Sequence, residues 1–103
     1  DSLLTPMTIT PAFHHISNEV SFPKRTLQIN GESVTYGRLQ VYPGLATLSG
    51  QPATTFPWGR TQQGLPIGLQ AIGPYLEDRT PIAFASLLEQ KFGGFVPPPG
   101  YTK

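Results

Sequence analysis

The sequence predicts an α/β chain, in the form of a small hairpin-plus-helix fragment. Short runs within residues 26–36 and 53–72 alternate apolar and polar side chains or are rich in β-forming residues, which is typical of strands. Residues 80–92 instead repeat apolar side chains at helical spacing. The chain has 12 prolines and 11 glycines, which indicates many turns. Aromatic and aliphatic residues persist between those turns, so we expect an ordered chain.

The first elements are a strand and a hairpin. Ser2-Leu3-Leu4-Thr5 predicts a short buried strand that stops at Pro6, followed by an irregular stretch. Thr26-Leu27-Gln28-Ile29 and Ser33-Val34-Thr35-Tyr36 then flank Asn30-Gly31, a pair that favours the positive φ angles of a tight hairpin turn.

The middle of the chain predicts a helix and a strand. Apolar residues within 36–48 are compatible with a helix, although Pro43 and Gly44 inside it predict a break or kink. Residues 53–58 are rich in threonine and aromatic residues and predict a strand, which Pro57 bends or leaves with an unpaired position.

A second strand is predicted over residues 65–72, after a polar loop at 59–64. Because side chains alternate along a strand, Leu65, Ile67, Leu69 and Ala71 share one face, and Pro66, Gly68, Gln70 and Ile72 share the other. Gly68 in mid-strand indicates that another backbone or a ligand comes close.

The last predicted helix has the clearest start and stop signals. Thr80 is the expected N-cap, Pro81 suits the first helical position, and Gly93 ends the helix. Glu77 and Asp78 lie beside its positive end and Lys91 near its negative end. The apolar stripe comprises Phe84, Ala85, Leu87, Leu88 and Phe92. Beyond it, the prolines of residues 95–101 predict an extended tail whose two aromatic residues dock on a surface.

Composition restricts the class of partner. Charged residues make up 13% of the chain, about half of the usual ~25%, so part of the surface is expected to face other protein. Together with the strand-like start at Asp1, this predicts a piece of a larger protein. A net charge of +1 with scattered basic residues predicts neither nucleic-acid nor membrane binding. Without an apolar run of membrane length, we expect a cytoplasmic protein.

Few residues suggest chemistry by themselves. His14 and His15 are adjacent, so on an extended chain they point apart and do not easily share a metal. Ser17, one of these histidines and Asp78 have the residue types of a catalytic triad. Nothing in the sequence fixes the distances between them, and a Gly-x-Ser-x-Gly elbow is absent. The glycines of residues 64–73 lack phosphate-loop spacing. The prolines at 97–99 are either a rigid tail or a ligand for an aromatic-lined groove.

Two blocks carry a resemblance to a known family. Leu48-Ser49-Gly50-Gln51-Pro52-Ala53 and Gly64-Leu65-Pro66-Ile67-Gly68-Leu69-Gln70, with Ile72-Gly73 before an acidic helix start, resemble the C-terminal signature of the amidase signature family. Leu3-Leu4-Thr5-Pro6 resembles the strand that the family places just before it. The resemblance covers residue 3 to about residue 95. It implies the C-terminal portion of the amidase signature fold, a mixed sheet with flanking helices.

The resemblance also implies a mechanism whose catalytic residues this chain lacks. The family hydrolyses carboxamides through an acyl-serine, with a lysine and a bridging serine activating the nucleophile and backbone N–H groups stabilising the oxyanion. The family's Gly/Ser-rich loop is missing from this sequence, and its lysines and serines lack matching contexts. We therefore assign no catalytic, metal or cofactor-binding residue and expect no cofactor.

Substrate contacts are expected only from the segment that resembles the border of the acyl pocket. The candidates are Gln51, Ala53, Phe56 and Trp58. The alternative is that these residues belong to the core, because apolar pockets and cores use the same residue types.

The main hypothesis is that residues 1–103 are the C-terminal part of an amidase domain and are inactive alone. The expected partners are the N-terminal portion of the same amidase, a small-molecule amide substrate and, through exposed apolar surface, further copies of the chain. The rival hypothesis is a free-standing α+β binding module with a proline-rich docking tail.

Overall fold

The computed structural model describes residues 1–101, and its elements form a mixed α/β arrangement. A three-stranded antiparallel sheet and a separate two-stranded hairpin are accompanied by two α-helices and two short 3-10 turns. In chain order the elements are β1 (Leu3–Pro6), β2 (Thr26–Ile29), β3 (Glu32–Thr35), α1 (Val41–Ser49), β4 (Ala53–Arg60), β5 (Pro66–Ile72) and α2 (Arg79–Phe92).

The central strand of the sheet is β5, with β1 on one side and β4 on the other. Its last three residues, Gln70, Ala71 and Ile72, are buried, because both neighbours pair with this end of the strand. The predicted burial of the first strand is wrong. Leu3 is 57% and Leu4 42% exposed, since β1 is an edge strand that little else in the described residues covers.

A β-bulge interrupts the pairing of β4 with β5. Pro57 lies opposite Gly68 and Gly59 lies opposite Ile67, so Trp58 is the extra residue. Proline has no N–H for the ladder, and bulges with proline are typical of edge strands. The predicted irregularity at Pro57 is confirmed, and the strand continues beyond its expected end to Arg60.

The core lies between the sheet and α2. Phe56, Ala71 and Ala85 are its buried members, and the partly buried side chains packed on them are Leu69, Phe84 and Leu88. The prediction that Leu69 and Ala71 share an apolar face is therefore confirmed. Leu87 and Phe92 do not join this core as the predicted stripe implies, because they are 62% and 60% exposed.

The start of α2 differs from the prediction at Thr80. The helix begins at Arg79, so Thr80 lies inside its first turn and is not the N-cap. Its hydroxyl donates to a carboxylate oxygen of Glu77 at 3.0 Å and does not accept from a helix N–H. Pro81 is the third helical residue and not the first as predicted, but it still lies in the first turn, where its missing N–H is tolerated. Gly93 ends the helix with φ +91°, and Lys91 lies in the last turn, both as predicted.

The helix predicted over residues 36–48 does break, but between Gln40 and Val41 and not at Pro43 and Gly44 as predicted. Tyr36–Gln40 forms a 3-10 turn, and α1 starts at Val41. Pro43 thus falls in the first turn of α1, where backbone N–H groups have no intrahelical partner to lose. The hairpin prediction is confirmed, because Asn30 (φ 51°) and Gly31 (φ 81°) form the turn between β2 and β3.

Candidate functional site

The two sequence blocks that carry the resemblance lie side by side in the structure. Gly50 ends α1 with φ 68°, and the Gln51 N–H donates to the Ala46 carbonyl at 3.1 Å. The chain then enters β4, which pairs with β5. Beyond the ladder, the Gly73 N–H donates to the Pro52 carbonyl at 2.8 Å. Blocks that are separated in sequence by residues 54–63 therefore form one continuous strand pair, and this pair is the candidate site.

Gln70 joins three elements on one face of this pair. Its side chain is 2% exposed, and its Nε2 donates to the Tyr42 carbonyl in α1 at 2.8 Å and to the Thr5 hydroxyl in β1 at 3.0 Å. A buried amide needs such partners because leaving them unmade costs about 1–3 kcal/mol. Gln70 therefore fixes the position of α1 against the sheet.

The close approach expected at Gly68 occurs at Gly73 instead. A Cβ atom at Gly68 would lie 3.5 Å from the Phe56 carbonyl oxygen, an ordinary contact. A Cβ atom at Gly73 would lie 2.5 Å from Cδ of Pro81. Only glycine therefore lets the end of β5 pass the first turn of α2 at this distance.

The first two predicted pocket residues lie near the start of β4. Gln51 is exposed, and its Oε1 accepts a hydrogen bond from the Ser49 hydroxyl at 3.0 Å. Ala53 is also exposed and lies opposite Ile72 in the ladder. Because side chains alternate, Ala53 shares its face of the sheet with Gln70.

The other two predicted pocket residues lie on the α2 side of the sheet. Phe56 is opposite Leu69 and is 8% exposed, within the core. Trp58 is 49% exposed and packs edge-on against Phe92, with ring centroids 5.4 Å apart. The structure therefore places Ala53 on one face of β4, Phe56 and Trp58 on the other, and Gln51 before the strand, and does not bring the four into one cavity.

Trp58 lines an open cleft of about 430 Å³ between the bulge of β4, the end of α2 and the following tail. Phe92 and Phe95 contribute aromatic rings to its lining, and Arg60 contributes a charged side chain. One guanidinium N–H of Arg60 donates to the Gly64 carbonyl at 3.1 Å. The cleft can hold an apolar group, and the bulge aims Trp58 at it.

A second cleft was not predicted from the sequence. It measures about 410 Å³ and runs between the segment that follows β1, from Met7 to Phe13, and the start of β5 around Ile67. The Thr55 hydroxyl donates to the Met7 sulfur at 3.4 Å, which links this segment to β4. The signal available in sequence was the placement of apolar Met7 and Ile9 between two prolines.

Within residues 1–101, no cluster of three or more histidine, aspartate or glutamate side chains is placed to hold a metal ion. His14 and His15 are exposed and line a cleft with Phe13, Arg25 and Tyr36. In the same part of the chain, no helix has the length and apolar character needed to cross a bilayer.

Comparisons with known proteins place this chain beside amide-processing enzymes. A family model described as Amidase matches residues 1–81. A glutamyl-tRNA(Gln) amidotransferase subunit of Nitrobacter winogradskyi is 31% identical over 97 residues, which are 94% of this chain and 18% of the relative. Fatty-acid amide hydrolase 2-A of Danio rerio is 40% identical over 57 residues, 55% of this chain and 11% of the relative. The chain thus spans less than a fifth of these relatives.

Proposed function

Because this chain belongs to the Amidase family, whose model matches residues 1–81, we propose that residues 1–103 are the C-terminal part of an amidase domain. The observation that carries the proposal is the pairing of the two signature blocks. They occupy neighbouring strands, joined by the Gly73 N–H to Pro52 carbonyl bond of 2.8 Å. The catalytic half of the domain is then another part of the parent protein.

The proposed reaction is hydrolysis of a carboxamide. A serine hydroxyl of the catalytic half attacks the amide carbonyl, the C–N bond breaks, and ammonia or an amine leaves with the proton. Water then attacks the acyl-serine and releases the carboxylic acid. The two relatives are named for an amidotransferase and an amide hydrolase, so the proposal extends only to what these names share, an amide as the reacting group.

The proposed role of this chain is to supply framework and one wall of the acyl pocket. The exposed edge strand β1, with Leu3 and Leu4 partly in solvent, suits continuation of the sheet by the catalytic half. Among the four pocket candidates, Gln51, Ala53 and Trp58 have the exposure that contact with a substrate or a neighbouring wall requires. Phe56 would support this wall without contacting the substrate, because its side chain is buried in the core.

Amide hydrolysis by the isolated chain tests the proposal. We expect no turnover above background with aliphatic and aromatic carboxamides. Co-expression with the upstream segment of the parent reading frame is expected to produce activity, and the upstream segment alone is the matched control. Robust turnover by residues 1–103 alone would contradict the proposal.

The parent reading frame also distinguishes the rival function. A Gly/Ser-rich loop encoded upstream supports the amidase proposal. An open reading frame limited to this segment would favour a free-standing binding module. A monomeric chain with sharply cooperative unfolding would favour it too, because an excised part is expected to expose apolar patches and self-associate. The cytoplasmic location expected from the sequence stays a prediction.

A further inference from the structure

The tail after α2 holds a short proline-tyrosine motif that is not part of the core, and only its Pro98 lines the cleft beside Trp58. Residues 98–101 read Pro-Pro-Gly-Tyr, preceded by one more proline. Pro98 and Pro99 are exposed, and Tyr101 is 79% exposed. The predicted docking of the tail aromatics is at most loose within the described residues, because Phe95 lines the clefts beside β4 and α2 but is 72% exposed.

The motif is partly organised before any partner binds. Each proline ring holds φ near −65°, and a residue that precedes proline is pushed towards the extended region. The Tyr101 N–H donates to the Pro98 carbonyl at 3.1 Å, and Gly100 has φ +85°. Proline followed by glycine at the two central positions is the pattern of a type II turn. The prolines therefore leave a partner less conformational freedom to remove than in a tail without prolines, and the turn at Gly100 opens when the tail binds in the extended form.

The arrangement of rings indicates which kind of partner fits. A polyproline II helix has three residues per turn, so Pro98 and Tyr101 lie on the same edge when the tail is extended. Gly100 permits both this conformation and the observed turn, since glycine adopts either sign of φ. Residues 93–101 carry no charged side chain, so recognition has to come from the proline and tyrosine rings.

Among domains that bind proline-rich segments, the motif favours the WW type over the SH3 type. The proline spacing Pro-x-x-Pro, which SH3 domains recognise, would need a proline at position 100, where this tail has glycine. A pair of prolines followed two residues later by tyrosine instead fits an aromatic-lined groove that has a neighbouring pocket for the phenol ring.

We propose that residues 98–101 are a docking motif for a WW-type domain, with Pro98 and Pro99 in its aromatic groove and Tyr101 in its tyrosine pocket. This proposal does not depend on amidase activity, because the motif lies beyond the residues that the family model matches. It assigns the tail a binding partner while the strand pair remains free to join the catalytic half.

Titration calorimetry with the full chain and a purified WW domain that prefers Pro-Pro-x-Tyr peptides tests the proposal. We expect saturable one-to-one binding. Tyr101→Ala and Pro99→Ala are each expected to reduce the affinity about tenfold or more, because a few anchor residues supply much of the energy of a small interface. A peptide of residues 94–103 is expected to bind like the full chain.

Tyr75→Ala is the matched control, because Tyr75 is 65% exposed and also follows a proline but lacks the proline pair. We expect this variant to bind like the unaltered chain. Absence of binding, equal affinity of the Tyr101→Ala variant, or equally tight binding to an SH3 domain would each overturn the proposal. Circular dichroism of each variant checks that the fold is retained.

Discussion

Replacing Gly73 by alanine tests how closely β5 and α2 are packed. The added Cβ would lie 2.5 Å from Cδ and 3.0 Å from Cγ of Pro81. The ring of Pro81 is fully buried and, unlike a long side chain, it has no rotamer that would move it away. The Gly73 N–H is also held by the Pro52 carbonyl, so strand and helix must separate to accommodate the methyl group.

The expected cost follows from this rigidity. Overpacking a well-packed site typically costs about 1–3 kcal/mol, and we expect the upper part of that range because neither neighbour yields. For a domain near 100 residues, 1 kcal/mol corresponds to about 4–8 °C in Tm. The Gly73→Ala variant is therefore expected to lose roughly 2–3 kcal/mol and roughly 10–20 °C in Tm.

Urea unfolding followed by circular dichroism measures this loss, with Gly68→Ala as the matched control on the same strand. At Gly68 the new Cβ meets its nearest neighbour at 3.5 Å, so we expect little change or a gain of up to about 1 kcal/mol from the less flexible unfolded chain. Equal stability of the two variants would refute the reasoning.

A double variant makes the test independent of whether Gly73→Ala folds well. Pro81→Ala removes the ring atoms that the new methyl group would meet. The combined variant is therefore expected to be more stable than the sum of the two single effects predicts, by about 1 kcal/mol or more. Strict additivity would show that the ring of Pro81 is not the obstacle.

Three further changes probe the hairpin, the buried amide and the aromatic cleft. Gln70→Ala is expected to lower the free energy of unfolding by about 1–3 kcal/mol, because it leaves the Tyr42 carbonyl without its 2.8 Å donor. Gly31→Ala is expected to destabilise the hairpin by about 1 kcal/mol or more, because Gly31 has φ +81°. Faster amide hydrogen exchange in the hairpin measures this loss. Phe92→Ala is expected to shift the emission of Trp58, the single tryptophan, to longer wavelength.

Each of these changes has a matched control in the chain. Gln28→Ala alters an exposed strand glutamine and is expected to leave stability nearly unchanged. Gly37→Ala places a methyl group in open space without a positive φ. Leu87→Ala alters an exposed residue of α2 that lies away from the cleft, so the emission of Trp58 should not move. An effect in the control equal to that in the variant would contradict the corresponding interpretation.

The candidate site is only partly predictable from the sequence, because the resemblance implies a single pocket wall over residues 51–58. Alternation along β4 places Ala53 with Gln70 and Phe56 with Leu69, on opposite faces. The bulge at Trp58 then turns this side chain towards Phe92. A proline in the strand indicated an irregularity, but the partner strand decides which residue is extra.

Local chemistry by itself determined the hairpin turn at Asn30-Gly31, the extent of β5, the stop of α2 at Gly93 and the family resemblance. Turn angles, strand alternation and glycine stops depend on residues close in sequence, so they can be read directly from the chain. Only the tertiary structure decided that β5 is central, that Gly73 and not Gly68 is the tight position, and that Gln70 is bound to Tyr42. These features depend on which distant segments meet, and the packing of those segments is not encoded in any single local pattern.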